Sequence, residues 1–244
     1  MENNFKIDII IPFINIDHYR ERNLKFILTY YNKYVTNCNI YVIEQDTETD
    51  LSDFDFITHY KIQLQTDFNK SYCLNYGVKH SYSKFLMLLD SDIIIEKEVL
   101  LNIRKYFNYK YVMYPFNKPI VNLNEAETNI FINAEILLDG TKRSVFTFGG
   151  GVILISRKSY YMVGGFDNEL FVGWGGEDTA FFYKCERIVG VKRLNNSIYH
   201  LYHESVNVDD NMRNDIKKHI NIIKNMNIDD LKKYASSKRE YFIN

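Results

Sequence analysis

Two acids one residue apart, Asp90 and Asp92, follow the apolar run Phe85-Leu86-Met87-Leu88-Leu89. Carboxylates in that spacing offer oxygen ligands to a hard divalent cation, which can bridge them to phosphate oxygens. Asp-Ser-Asp also ends a strand and opens a turn, so these three residues alone leave both readings standing. A second cluster, Trp174-Gly175-Gly176-Glu177-Asp178, places a flat apolar ring, two glycines and two acids at the head of a helical stretch. Glycine lets backbone approach a ligand closely. An ionised carboxylate beside a sugar-sized apolar face is what a general base for a hydroxyl needs, and the alternative is a helix cap with the Trp in the core. The third cluster is His200-Leu201-Tyr202-His203. On a strand a spacing of three turns the two rings to opposite faces, so a shared metal requires a turn there. Imidazoles joining carboxylates form a common donor set for a divalent transition metal.

The elements that must position these groups alternate. Residues 6–13 read as a core strand ending at Pro12 and Phe13, residues 19–34 as a helix, and residues 39–43 as a second strand ending on Glu44-Gln45-Asp46. A weaker strand over 56–62 and a helix over 69–80 lead to the apolar run; Gly77 inside that helix lowers its stability. Alternating strands and helices imply a parallel sheet with right-handed crossovers. Its strand ends define one crevice, where ligands bind in open α/β sheets. Beyond Asp92 we expect a helix over 96–107 and a strand over 111–114. Next comes an irregular stretch, 115–145, that builds a binding wall. A strand over 152–155 follows Gly149-Gly150-Gly151, then helices over 158–163 and 177–188, edge strands over 191–194 and 197–201, and a helical tail over 211–234 with an apolar stripe at Ile216, Ile220, Ile223 and Leu231.

Of the 244 residues, 46% are hydrophobic and 25% charged, in the range of a soluble α/β domain. A net charge of -1 with interspersed signs gives no electrostatic footprint for nucleic acid. Three scattered cysteines make neither a disulfide framework nor a thiolate metal site, which points to a reducing compartment. There is no signal-peptide pattern and no run long enough to cross a bilayer, so we expect a cytoplasmic protein whose membrane role, if any, is peripheral. No Gly-rich dinucleotide fingerprint or phosphate-binding Lys loop follows the first strand, which disfavours nicotinamide enzymes and P-loop ATPases. No linker or repeat divides the chain. We therefore expect one domain, with a nucleotide-binding half (1–110), an acceptor-binding half (111–210) and a C-terminal helical segment (211–244).

Over residues 9–204 the sequence resembles nucleotide-sugar glycosyltransferases of the GT-A fold, closest to inverting family 2 enzymes and the β-1,4-galactosyltransferases. Ile10-Ile11-Pro12-Phe13 is similar to the family's first strand and nucleotide loop, and Ile40-Tyr41-Val42-Ile43-Glu44-Gln45 to its second strand. Phe68-Asn69-Lys70 through Gly77 resembles its diphosphate-contacting segment, and Asp90-Ser91-Asp92 its DxD motif. Phe148 to Val152, Gly164-Gly165-Phe166 and Gly173 to Asp178 resemble its acceptor-side block, and His203 its metal-ligand histidine. The resemblance implies a mostly parallel, Rossmann-like central sheet flanked by helices. It implies a divalent cation, Mn or Mg, held by Asp92 and His203 with His200 as a further candidate. It implies Asp178 as catalytic base of a single displacement. Pro12, Phe13, Glu44, Phe68, Lys70, Asp90 and Ser91 would bind the nucleotide of a UDP-sugar. Gly150, Gly151, Trp174, Gly175 and Glu177 would hold the donor sugar and a glycan acceptor, and residues 205–214 would close as a lid.

This chain departs from the family at four places. Ile14 and Ile16 stand where galactosyltransferases carry nucleotide-contacting arginines, leaving Arg20 or Arg22 as substitutes, and Thr179-Ala180 follows the acids. Two rivals use similar parts: a sugar nucleotidyltransferase, which normally has a Gly- and Arg-rich loop in place of Pro12-Phe13-Ile14-Asn15, and a sugar-nucleotide or glycan-binding module with residual donor hydrolysis.

Overall fold

The computed structural model describes residues 5–136, 144–145, 149–173, 175–205 and 210–243. Expectations placed on Phe148 and Trp174, and on residues 137–143 of the wall and 206–209 of the lid, lie outside the described residues.

In chain order the elements are β1 (Ile7–Phe13), α1 (His18–Tyr34), β2 (Cys38–Gln45), β3 (Ile57–Ile62), α2 (Lys70–Lys79), β4 (Phe85–Leu89), β5 (Ile93–Ile95), α3 (Lys97–Leu101), β6 (Val112–Tyr114), β7 (Ile120–Asn122), α4 (Glu125–Ala134), β8 (Ser144–Val145), β9 (Val152–Ser156), α5 (Arg157–Met162), α6 (Glu177–Ile188), β10 (Val191–Arg193), β11 (Ile198–His200), α7 (Asp210–Asn225), α8 (Ile228–Lys238) and α9 (Glu240–Ile243). Seven strands form the main sheet in the order β10-β6-β9-β4-β1-β2-β3. Every residue of β1, β4 and β9 is buried, as expected of strands covered on both faces. The sheet is mostly parallel, with one reversal: β9 runs antiparallel to both β4 and β6. Val152 pairs with Leu89, so β9 starts at the crevice end of the sheet and carries Gly149 to Gly151 there.

A smaller sheet, β5-β11-β7-β8, stands beside the crevice. β5 leaves directly from the Asp90–Asp92 turn, and β11 pairs with it so that His200 lies opposite Ile93. The strand expected at an edge around 197–201 is therefore internal to this second sheet, because β7 closes its other side.

Helix signals in the sequence work locally. Asp17 caps α1 by accepting from the Arg20 N–H, and Asn69 caps α2 by accepting from Tyr72. Gly77 is tolerated inside α2 because the helix lies tight on the sheet: a Cβ there would come within 2.4 Å of Ile10. The irregular stretch contains more structure than its letters suggest, since Asn124 and Glu127 form a capping box that starts α4. The tail is two helices, because Asn227 recaps the chain by accepting from the Asp230 N–H. Ile223 and Leu231 bury against Phe171 and Ala180, with Ile216 and Ile220 packed alongside, so the apolar stripe seats the tail on α6. No helix among the described residues is long and apolar enough to cross a membrane.

Candidate active site

The carboxyl ends of β1 and β4, the first turns of α1, α2 and α6, and the chain after β11 enclose a cavity of about 440 Å³. Pro12, Phe13, Phe68, Lys70, Asp90, Ser91, Asp92, Gly175, Glu177, Asp178, His200 and His203 all line it. Residues far apart in sequence thus converge on the hollow that their chemistry requires.

Backbone bonds fix the DxD turn. The Asp90 N–H donates to the Gly151 carbonyl at 2.9 Å, and the Asp92 carbonyl accepts from the Leu201 N–H at 2.8 Å. The second bond brings the histidine segment against the turn. β11 ends at His200 and the chain then leaves strand geometry, which releases the constraint that would have put the rings on opposite faces. His200 Nε2 lies 3.6 Å and His203 Nε2 3.3 Å from the two Asp92 oxygens, and one ligand atom from each residue falls within 4.8 Å of the others. One carboxylate and two imidazoles at this separation fit a divalent transition metal. Burial would raise the Asp92 carboxyl, but His200 and His203 override it and hold it well below the usual carboxylate range. Burial lowers His200, favouring the neutral ring a metal needs. His203 Nδ1 lies 2.7 Å from the Glu204 carbonyl and 3.0 Å from Arg20 Nη2. The tautomer that donates to Glu204 would free Nε2 to ligate a metal; without one, burial lowers the ring but its hydrogen bond to Asp92 prevails and raises it.

Across the cavity one ammonium gathers three acids. Lys70 Nζ lies 2.7 Å from Asp90, 2.9 Å from Asp178 and 3.6 Å from Glu177. Burial disfavours its charge, yet Asp178, Asp90 and Glu177 together hold it well above the ordinary lysine value. Burial also pushes Asp178 up to about 8 and Asp90 up to about 6, against the pull of Lys70. Glu177 keeps one buried oxygen, Oε2, with no hydrogen-bond partner among the described residues. An orphaned carboxylate oxygen on a cavity wall is ready to accept from a ligand hydroxyl. The lining sets Arg20 and Lys70 against four acidic side chains, so its carboxyl groups outnumber its cations.

The acids are held by their neighbours' packing. Asn69, at the head of α2, donates its N–H to buried Gln45 at 2.7 Å, and the Gly173 N–H donates to Phe68 at 3.0 Å, joining the loops that precede α2 and α6. Gly176 caps α6 with φ 90°, a conformation that glycine adopts without strain, and a Cβ there would meet Ile216 at 2.4 Å. At Gly149 a Cβ would lie 2.7 Å from the Asp178 carbonyl, so the glycine stretch presses against the backbone of the expected base.

Two expectations need correction, and the two candidate arginines part. Glu44 does not line the cavity: fully buried, its carboxylate accepts from Thr47 and Thr49 and pairs with His59 at 2.7 Å, anchoring the loop after β2. Gly150 and Gly151 do not line it either; Gly151 packs against Ile93 and Ile198 and positions Asp90. Of the two candidate arginines, Arg20 reaches the cavity, 4% exposed and bonded to Asp17, whereas Arg22 is spent on Asn23, Asn129 and the Tyr202 carbonyl. Sequence reasoning missed two supports. Asn75 binds both backbone groups of Phe166, and Lys184, wholly buried, bonds Gly165 and Asp167. A polar residue on the apolar face of each helix was the available signal.

Residues 139–204, which include Glu177, Asp178, His200 and His203, match the family model for the N-terminal domain of galactosyltransferase. The catalytic domain of Drosophila β1,4-galactosyltransferase 7, solved with xylobiose, superposes with a TM-score of 0.59 at 16% identity, over 88% of this chain and 80% of that one. The fold is GT-A. A second structure of the fly enzyme, a mutant with manganese, UDP-Gal and xylobiose, gives a TM-score of 0.54 at 14% identity over 86% of this chain and 79% of that one. S. aureus TarS (residues 1–349) gives 0.59 at 16% identity over 98% and 71%. None of the curated proteins matches by sequence. Family segment and GT-A fold point to one enzyme class, the glycosyltransferases.

Proposed function

We propose that the chain is a metal-dependent inverting glycosyltransferase that moves a hexose or N-acetylhexosamine from a UDP-sugar to a hydroxyl of a glycan. The observation that carries this reading is the convergence of Asp178 with the Asp92, His200 and His203 cluster on one cavity. Asp92, His200 and His203 would hold Mn or Mg, which when bound supplies positive charge to the departing diphosphate. Lys70 and Arg20 bind phosphate oxygens from the protein side, while Pro12, Phe13 and Phe68 wall the nucleotide. Glu177 accepts from a sugar hydroxyl through its unpartnered oxygen. Asp178 takes the proton from the attacking hydroxyl as its oxygen bonds to the anomeric carbon and the bond to UDP breaks, in line and with inversion. Its raised pKa makes it a stronger acceptor than an ordinary aspartate.

Residues 1–110 act as the nucleotide half and 111–210 as the acceptor half of one domain, in a reducing cytoplasmic setting. UDP release from a panel of UDP-sugars, with and without Mn, identifies the donor. Asp178→Asn should then cut transfer by roughly 10²–10⁴-fold while leaving Mn-dependent UDP-sugar binding intact. Undiminished transfer would remove Asp178 from the reaction.

A further inference from the structure

We propose that the opposite end of the main sheet carries a second binding site, for a saccharide bearing phosphate groups. An open cavity of about 690 Å³ lies there, walled by Lys84, Arg157, Lys158 and Arg239 together with Tyr82 and Tyr109. No acid lines it, although the whole chain carries 31 acidic against 30 basic residues. Lys84 precedes β4 and Asp90 follows it, so the two cavities are separated by the length of a five-residue strand, ~17 Å. The proposal therefore stands apart from the transfer reading.

The four cations divide into two kinds. Arg157 bonds the Ser83 carbonyl and Ser81 Oγ, each at 2.8 Å, and Arg239 bonds the Tyr161 and Met162 carbonyls. These two build the wall. The side chains of Lys84 and Lys158 have no hydrogen-bond or ion-pair partner among the described residues, and both residues are exposed, although the Lys84 carbonyl accepts from the Arg157 N–H at 2.9 Å. Their ammoniums are available to an anion.

The rim is rigid where a flexible one would suffice for solubility alone. Asp8, fully buried in β1, accepts from the Tyr82 and Ser83 N–H groups at 2.8 and 2.6 Å and from Ser83 Oγ at 2.7 Å. That buried network locks the turn that bears Tyr82 and Lys84. Yet Tyr82 is 86% exposed, so its ring covers no core that would account for it, while Tyr109, 53% exposed, lays one side of its ring on buried Phe85 at 4.9 Å between centroids and leaves the other side to the cavity. An aromatic ring held ready on a fixed turn loses little entropy when a ligand stacks on it. Pyranose rings offer the apolar C–H face that such a surface takes, and phosphate groups answer the paired lysines.

The test uses the full chain and a phosphomannan oligosaccharide, before and after phosphatase treatment, titrated calorimetrically at low and high salt. Binding of the phosphorylated form, weakened by salt and at least about tenfold weaker after dephosphorylation, is expected. Lys84→Glu with Lys158→Glu should weaken it by a similar factor, with melting temperature and UDP-sugar binding unchanged. The milder pair Lys84→Gln and Lys158→Gln should weaken it less, and Tyr82→Ala should weaken the oligosaccharide but not inorganic phosphate. Absence of binding, equal binding of the dephosphorylated form, or indifference to the lysine changes would overturn the proposal. So would capture by phosphatidylglycerol vesicles without oligosaccharide binding, which would make the face a lipid surface.

Discussion

The Lys70 ammonium donates to Asp178 across 2.9 Å, joining the N-termini of two helices that lie 108 residues apart in sequence. The same ammonium pairs with Asp90 on the metal-side turn. One side chain therefore holds the expected base and the DxD turn at a fixed separation, and its removal leaves three acids facing one another.

Lys70→Met should destabilise the protein by about 3 kcal/mol, toward the lower end for a broken buried pair because the side chain retains 12% exposure to the cavity. The sign with pH follows from the acids. Asp90 and Asp178 are raised to about 6 and about 8, so both take up protons in acid and then need no cation. The deficit of the variant, measured by urea denaturation, should be larger at pH 8 than at pH 5. An equal deficit at both would mean that Lys70 acts through packing.

The metal cluster makes its own prediction. His200→Ala and His203→Ala should each weaken Mn binding roughly tenfold or more, and Asp92→Asn should weaken it at least as much, read by calorimetric titration of the free protein. Full affinity in any of the three variants would place the cation elsewhere.

Glu44 reports on the fold rather than on catalysis. Burial alone would raise it, but hydrogen bonds from His59, Thr49 and Thr47 prevail and lower it from 4.5 to about 2. A carboxyl lowered on folding contributes stability above its unfolded pKa and loses it as pH falls toward the folded value. The contribution is on the order of 3 kcal/mol, present at pH 7 and lost between about pH 4.5 and 2. Glu44→Gln should thus destabilise strongly at pH 7 and far less near pH 2.5; a deficit independent of pH would assign its role to shape alone.

Gly77→Ala tests the fit of α2 on the sheet. Alanine favours helix by up to about 1 kcal/mol, but its Cβ would lie 2.4 Å from Ile10 and 3.1 Å from Ile43, both fully buried. Overpacking of this kind costs about 1–3 kcal/mol, so a net loss is expected in the denaturation midpoint, and a gain would show that α2 can shift.

Much of this architecture was legible because its signals are local. Apolar runs marked β1, β2, β4 and β9, and acids or glycines at their ends marked the crevice. The DxD pair, the Gly-Gly-Glu-Asp block and the two histidines were readable as chemistry, and each lines the cavity in the residues expected to act. What escaped depends on partners distant in sequence. Nothing in Glu44 itself says that His59 and Thr49 will surround it. The antiparallel course of β9 and the internal place of β11 follow from pairings with β4, β5, β6 and β7, which periodicity does not encode. Arg20 was distinguishable from Arg22 only once α1 was oriented: helical geometry turns one toward the crevice and the other toward α4.

The hydrogen bond from the Leu201 amide to the Asp92 carbonyl has a bearing on biosynthesis. A ribosome emits the DxD turn long before the histidines, so the nascent first half cannot hold its cation in the manner of the finished protein. On the ligand set proposed here, metal capture would then be a late event, and chains interrupted before residue 200 would leave the ribosome without two of its three ligands.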